Sequence, residues 1–228
     1  RISVVIPVYN SEKILFDTYK NIKREVEKIT KDYEILFRND GSTDGSKNVL
    51  KEIAKRDKKV RIFSNRNRGL GFVLRKLFKD ARGDIIVYCD ADVFLSFDLS
   101  KLPILIRKTK EADVVIASRY IKGEIPLIRF IPSRIYRIIN QLLFGLDIND
   151  IGSGFVIFKR KILDKIELSA DGFDIHIEMY VKIKRAGFKI TEVPVKYVHW
   201  SKGSFKVIKH GPQVLINTFK FWLSIRKK

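Results

Sequence analysis

Four short apolar runs, separated by helix-spaced stretches, limit this chain's fold more than any other feature. Ile2 to Val8, Tyr33 to Phe37, Val60 to Phe63 and Asp84 to Cys89 read as buried strands. Glu12 to Ile29, Asp44 to Lys55 and Leu70 to Ala81 read as the helices between them. A βαβαβαβ order of this kind predicts a parallel sheet joined by right-handed crossovers. In such a sheet, ligands bind in the loops beyond the carboxyl ends of the strands. Three polar clusters fall there: "PVYNSE", "NDGSTDGS" and "DAD".

The second half is less regular. Asp113 to Ser118 reads as a fifth strand and Ile128 to Phe144 as a helix. "GFVIFKR" is a short strand, Phe173 to Ala186 a helix and "KITEVPVKYVHW" an extended segment. The tail from Ser204 mixes apolar residues with Lys and is expected to be helical. Neither a low-complexity linker nor an internal repeat divides the chain, and 228 residues at 45% hydrophobic content suffice for one α/β core.

Lys and Arg number 46 against 26 Asp and Glu, a net +20 that favours anionic partners such as phosphates, nucleic acid or an acidic membrane face. A Lys-rich surface of the thermophile kind accounts for the same excess. A single Cys rules out an intrachain disulfide and suits a reducing compartment. No run is long and apolar enough to span a bilayer. The chain opens at Arg1 on a strand pattern, so no signal peptide is expected, and at least one residue is expected before it.

Asp90-Ala91-Asp92 carries the strongest chemical signal. In extended geometry residues i and i+2 face one side, so a strand end would aim both carboxylates at one point. Hard divalent cations want oxygen ligands, and Mg²⁺ takes one or two carboxylates together with substrate phosphates. A solvated acidic turn is the ordinary alternative, weakened here by the fourth parallel strand ahead of it. In "NDGSTDGS", Gly41 permits a tight turn and Thr43 or Asp44 can cap the next helix. Asp40 at the strand end could accept a hydrogen bond from a base. Cys89 reads as a small buried hydrophobe. His176, His199 and His210 have no metal-ligand spacing and read as surface or core residues.

"ISVVIPVYNSE", "NDGSTDGS", "NRNRGLG", "ARGDIIVYCDAD", "ASRYIKG", "DIGSGFVIFKR" and "GFKITEVPVKY" occur in the order found in family 2 inverting glycosyltransferases. The chain resembles the dolichol-phosphate mannose synthases and dolichyl-phosphate glucosyltransferases of that family from Ile2 to about Val207. The resemblance implies an α/β GT-A fold, a Rossmann-like nucleotide-sugar-binding architecture with a mostly parallel central sheet flanked by helices. It also implies a single domain over 1–228: a nucleotide-sugar half (1–118), an acceptor-side half (119–203) and a basic amphipathic tail (204–228).

By the same resemblance, Pro7, Tyr9, Glu12, Asp40, Asp90 and Asp92 bind the donor, with Asp40 reading the base. Asp90 and Asp92 hold Mg²⁺ or Mn²⁺. Arg119, Arg129 and Ser133 hold an acceptor phosphate. Asp92, Arg119 and Glu178 form the catalytic set. Four positions depart from the pattern: Asn39 replaces an Asp, Phe94 a Gln beside the metal, Trp200 an Arg and Phe205 a Ser.

The implied reaction is transfer of a hexose, with inversion, from a nucleotide-diphosphate sugar (GDP-mannose or UDP-glucose) to a polyprenyl or dolichyl phosphate. The implied place is the cytoplasm, peripheral at an anionic membrane face. If the acceptor is instead a sugar hydroxyl of a polysaccharide, a carboxylate base is needed, and Asp150 or Glu178 is available. A nucleic-acid-binding module rests on net charge alone, with no recognition signature, so no nucleic-acid partner is expected. The intact "DAD" speaks against an inactive scaffold.

Overall fold

A computed structural model describes residues 1–120, 125–199 and 205–226. The first half forms as its pattern predicts: β1 (Ile2–Val8), α1 (Glu12–Glu27), β2 (Tyr33–Asp40), α2 (Ser46–Arg56), β3 (Val60–Asn65), α3 (Leu70–Asp80) and β4 (Ile85–Cys89). Three elements then follow that the periodicity did not reveal. They are α4 (Val93–Ser96), a 3-10 turn (Leu99–Lys101) and α5 (Leu102–Lys108), each too short for a helical repeat to show. The remainder is β5 (Val114–Ser118), α6 (Leu127–Phe144), β6 (Phe155–Lys159), a second 3-10 turn (Arg160–Ile162), α7 (Ile175–Arg185), β7 (Ile190–Pro194) and α8 (Val207–Arg226).

The sheet has seven strands in the order β3-β2-β1-β4-β6-β5-β7. β1 pairs in parallel with β2 and β4, and β2 with β3, as the crossovers require. β6 runs antiparallel to both of its neighbours, β4 and β5, while β5 and β7 are parallel. One face of the sheet packs on Leu15, Ile22 and Val26 of α1, Leu50 and Ile53 of α2, and Leu102 and Leu105 of α5. The other packs on Val73, Leu74 and Leu77 of α3 and on Ile177, Met179 and Ile183 of α7. Every residue of β2 is buried, its charged Glu34 and Arg38 included, and these are paired with Arg61 and Asp80.

β2 runs past the expected Phe37 to Asp40, which is the last residue of the strand. Gly45 caps α2 instead of Thr43 or Asp44, and Asp44 lies one residue ahead, accepting from the Ser46 amide at 3.0 Å and hydroxyl at 2.5 Å. α8 docks on α6 and α7: the Tyr136 and Thr218 hydroxyls bond at 2.8 Å, and the Phe144 and Phe221 rings stack at 5.7 Å. Trp200 lies outside the described residues, as do Lys227 and Lys228 of the basic tail.

Candidate active site

The carboxyl ends of β1, β2 and β4 converge on one edge of the sheet. The β1–α1 and β2–α2 loops are laced together there. The Asn10 amide donates to Ser42 Oγ at 2.9 Å, Thr43 N to Asn10 Oδ1 at 2.8 Å, and Gly45 N to Glu12 Oε2 at 2.9 Å. Glu12 therefore braces the loop pair from its outer side. Pro7 is the penultimate residue of β1, and Tyr9 stands half-exposed just beyond the strand, an open aromatic face beside the paired loops.

Asp40 is buried, and its carboxylate accepts from Asn65 Nδ2 (2.6 Å), Arg68 N (2.9 Å) and Gly69 N (2.9 Å). It organises the β3–α3 loop at the same edge.

Asp90 lies just past β4, and Asp92 caps α4 through a turn closed by Val93 N on Asp90 O at 3.1 Å. The carboxylates are thus brought together by a turn, which corrects the extended geometry expected from their spacing. Thr18, buried on α1, donates to the Ala91 carbonyl at 2.5 Å and pins that turn. From β6, Gly154 O accepts the Asp90 amide at 2.9 Å. A Cβ on Gly154 would lie 1.9 Å from Asp90 Oδ2, so only glycine leaves room for this carboxylate.

Desolvation by burial, then the negative charge of Asp92, pushes Asp90 up to about 7. Asp92 is raised as well, again chiefly by burial, and its own amide is the hydrogen bond that favours its charge. Tyr88 donates to Asp90 Oδ1 at 2.8 Å. The hydrogen bonds of the pair, with the positive charges of Arg119 and Arg129, favour its ionised form without outweighing burial. Among the described residues no third acidic, His or Cys ligand joins it. Two oxygen-donor side chains with positions left for phosphate oxygens and water fit Mg²⁺ or Mn²⁺.

Arg119, at the end of β5, is locked onto buried Asp150 through Nε (2.8 Å) and Nη2 (2.6 Å), and onto the Gly152 carbonyl (2.9 Å). Arg129 on α6 donates to the Phe205 carbonyl at 3.0 Å and lends positive charge to Asp92. Ser133, one turn on, donates to Phe130 O at 2.8 Å and accepts from the Tyr120 hydroxyl. Phe94 packs against the core and offers no ligand atom where the resemblance implies a Gln.

Glu178 is not brought to the Asp90–Asp92 pair. Its carboxylate accepts from Ser169 N and Oγ, Ala170 N and Lys182 Nζ. Burial alone would raise its pKa, but these donors, Lys182 and Ser169 foremost, hold it below the ordinary glutamate value. The neighbouring Asp171 carbonyl in turn accepts the Gly71 amide at the start of α3. Glu178 thus clamps a loop that seats α3.

A family model described as Glycosyl transferase family 2 matches residues 3–167. The chain belongs to glycosyl transferase family 2. It is 31% identical over 218 residues to glycosyltransferase AglD of Haloferax volcanii, covering 90% of this chain and 34% of that protein. It is 29% identical to a dolichol-phosphate mannosyltransferase of Pyrococcus furiosus, covering 91% of this chain and 59% of that one. An undecaprenyl-phosphate 4-deoxy-4-formamido-L-arabinose transferase of Pseudomonas fluorescens is 28% identical, over 95% of this chain and 62% of its own. The chain therefore spans between about a third and three fifths of these curated relatives.

Among solved structures, glucosyl-3-phosphoglycerate synthase of Mycobacterium tuberculosis, in complex with Mn²⁺, UDP and phosphoglyceric acid, superposes with a TM-score of 0.72. It is 20% identical, covering 97% of this chain and 78% of that one. Mannosyltransferase PcManGT of Pyrobaculum calidifontis, with GDP-Man and Mn²⁺, gives 0.62 at 19% identity, over 89% and 58% of the two chains. The fold is GT-A, as the resemblance implied.

Sequence reasoning missed several residues of this family 2 site. Thr18 and Gly154 carry no chemistry of their own and act through close contact. Tyr88 looks like a core aromatic. His176, set aside as a lone histidine, lies behind it, with Nε2 at 3.3 Å from the Tyr88 hydroxyl and Nδ1 at 3.2 Å from the Phe173 carbonyl.

Burial pushes His176 down from 6.5 to about 4. Between those values the unfolded chain binds more protons than the folded one, so stability present above the unfolded value is lost as pH falls. The loss from about pH 7 to about pH 5 is ~2 kcal/mol by linkage. Urea unfolding should show a pH dependence shallower by that amount in His176→Gln. Identical slopes would mean that the imidazole titrates in the folded protein as it does in water.

Proposed function

We propose that this family 2 domain transfers a hexose, with inversion, from a nucleotide-diphosphate sugar to a polyprenyl or dolichyl phosphate at a membrane surface. One observation carries the choice of acceptor: both carboxylates available as a hydroxyl-activating base are already engaged. Asp150 is fully buried against Arg119, and Glu178 is held by its loop and Lys182. A hydroxyl acceptor needs such a base. A phosphate monoester does not, because its second pKa is about 6 and it is largely dianionic at neutral pH.

In this reading a phosphate oxygen lone pair attacks the anomeric carbon. The bond from that carbon to the diphosphate oxygen breaks, its electron pair leaves with the nucleoside diphosphate, and configuration inverts. Tyr9 flanks the nucleoside, and the Asp40-organised loop borders the base. Arg129 steadies phosphate charge beside Asp92, and Arg119, fixed by Asp150, contributes at longer range. Asp90 and Asp92 would hold Mg²⁺ or Mn²⁺, which supplies Lewis-acid stabilisation of the departing diphosphate. The names of the curated relatives, two of them lipid-phosphate transferases, support the acceptor class.

The outer surface supports a lipid-borne acceptor. Among the described residues no helix is long and apolar enough to cross a membrane. Yet α6 turns Leu127, Ile128, Ile131, Ile135, Ile138 and Leu142 outward, at helical spacing, with Leu142 80% exposed. α8 adds Ile208, Ile216, Phe219 and Leu223 beside Lys209 and Lys220. An apolar face bordered by cations lies in the plane of an anionic bilayer surface. Phe221 of the tail faces the core instead, so α8 is both a packed helix and an exposed one.

Radiolabelled GDP- and UDP-hexoses, offered with polyprenyl phosphate in floated anionic or neutral vesicles and with free oligosaccharides, test the reading. Label should move to the lipid phosphate, and protein should float with the anionic vesicles. Transfer to the oligosaccharide alone would overturn the acceptor class.

A further inference from the structure

α6 carries an arginine that the reaction above does not use. The single Ser133 proton is committed to the Phe130 carbonyl, and Arg129 is tied to the Phe205 carbonyl. Arg134 is different. Its guanidinium carbon lies 4.2 Å from the centre of the Tyr120 ring and 5.3 Å from that of Phe130. Its Nε and Nη2 are buried and have no hydrogen-bond partner among the described residues.

Those two nitrogens form one side-on edge of the guanidinium, the edge that meets two oxygens of a phosphate in parallel. Buried donors are nearly always paired in folded proteins, so an unmet edge of this kind needs an explanation. The rings against which it rests also wall a cavity of about 270 Å³, completed by Ile125 and Leu127. Tyr120 further adjoins Arg119, whose guanidinium carbon is 5.8 Å from its ring centre. A cationic fork and an apolar slot therefore share two aromatic walls on the acceptor side of the site.

We propose that Arg134 is a further acceptor-binding residue. Its Nε–Nη2 edge takes two oxygens of a phosphate monoester whose first apolar carbons occupy the Tyr120–Ile125–Leu127–Phe130 slot. This deepens the lipid-phosphate reading and rests on it. The phosphate chemistry is shared with small soluble phosphates, and the slot is what selects a chain-bearing one.

Calorimetric titration of geranyl phosphate, 3-phosphoglycerate and UDP or GDP into wild type, Arg134→Met and Arg134→Lys tests the inference. Wild type should bind geranyl phosphate more tightly than 3-phosphoglycerate. Arg134→Met should weaken geranyl phosphate at least ~10-fold, as expected for a charge-assisted bidentate contact. Lys should restore only part of the loss, since it carries the charge without the fork. Nucleotide affinity should be unchanged in both variants, which also reports their folding.

The ligand-free Met variant should melt no lower than wild type, because it removes a buried group with unmet donors. A purely structural arginine would lower the melting temperature. Unaltered geranyl phosphate binding in Arg134→Met overturns the inference and leaves the acceptor class intact. Equal wild-type affinity for 3-phosphoglycerate overturns the slot. Wild type that binds neither phosphate overturns the acceptor reading itself.

Discussion

Asp92→Asn is expected to fold and to lose transfer by at least ~10²-fold, the scale seen when one preorganised stabilising group is removed. The substitution keeps shape and removes a charge. Asp92 has only its own amide as a favourable hydrogen bond, and burial already raises its pKa, so the side chain is ionised at a cost the folded protein does not itself offset. The neutral amide relieves that cost. The ligand-free variant should therefore melt at or above the wild-type temperature while failing in transfer. Loss of activity with gain of stability separates a ligand-binding carboxylate from a structural one, whose removal would lower both. Initial rates across a Mn²⁺ titration, beside thermal melts without metal, measure the two effects. Wild-type rates at ordinary Mn²⁺ would remove the metal reading of this pair.

What the sequence revealed, and what it hid, divides along physical lines. β1 to β4 and their helices follow from pattern because the strands carry dense apolar runs and the helices are long enough to repeat an apolar face. Asp90, Asp92 and Asp40 follow from position, being charged residues at the ends of buried strands. The antiparallel direction of β6 was not legible, since four apolar residues followed by a lysine carry no mark of strand direction. The short helices between Val93 and Lys108 span too few turns to show a period. Glu178 shows the limit of motif matching: its place in the pattern suggested chemistry, while its partners Ser169, Ala170 and Lys182 hold a loop and a helix away from the strand ends. Thr18, Gly154 and Arg134 matter through what they touch across 73 residues, 64 residues and a ring stack. No local spacing encodes such contacts.

Gly154→Ala is expected to lower transfer by ~10²-fold, the scale of an ångström-sized misplacement of a reacting group. Asp90 N donates to Gly154 O at 2.9 Å where β6 begins beside β4, which brings the glycine Cα against the Asp90 side chain. An added Cβ would stand 1.9 Å from Oδ2 and 2.5 Å from Cγ, well inside contact distance, so the carboxylate must turn aside. Turning breaks its 2.8 Å hydrogen bond from Tyr88 and withdraws it from Asp92. Relaxation should also cost about 1–3 kcal/mol of stability, as overpacking does. A double-mutant cycle isolates the cause. In an Asp90→Ala background the clash partner is gone, so Gly154→Ala should cost little further stability, and the two changes should be strongly non-additive. Equal cost in both backgrounds, or a wild-type transfer rate in the single variant, would mean that the strand and not the carboxylate demands the glycine.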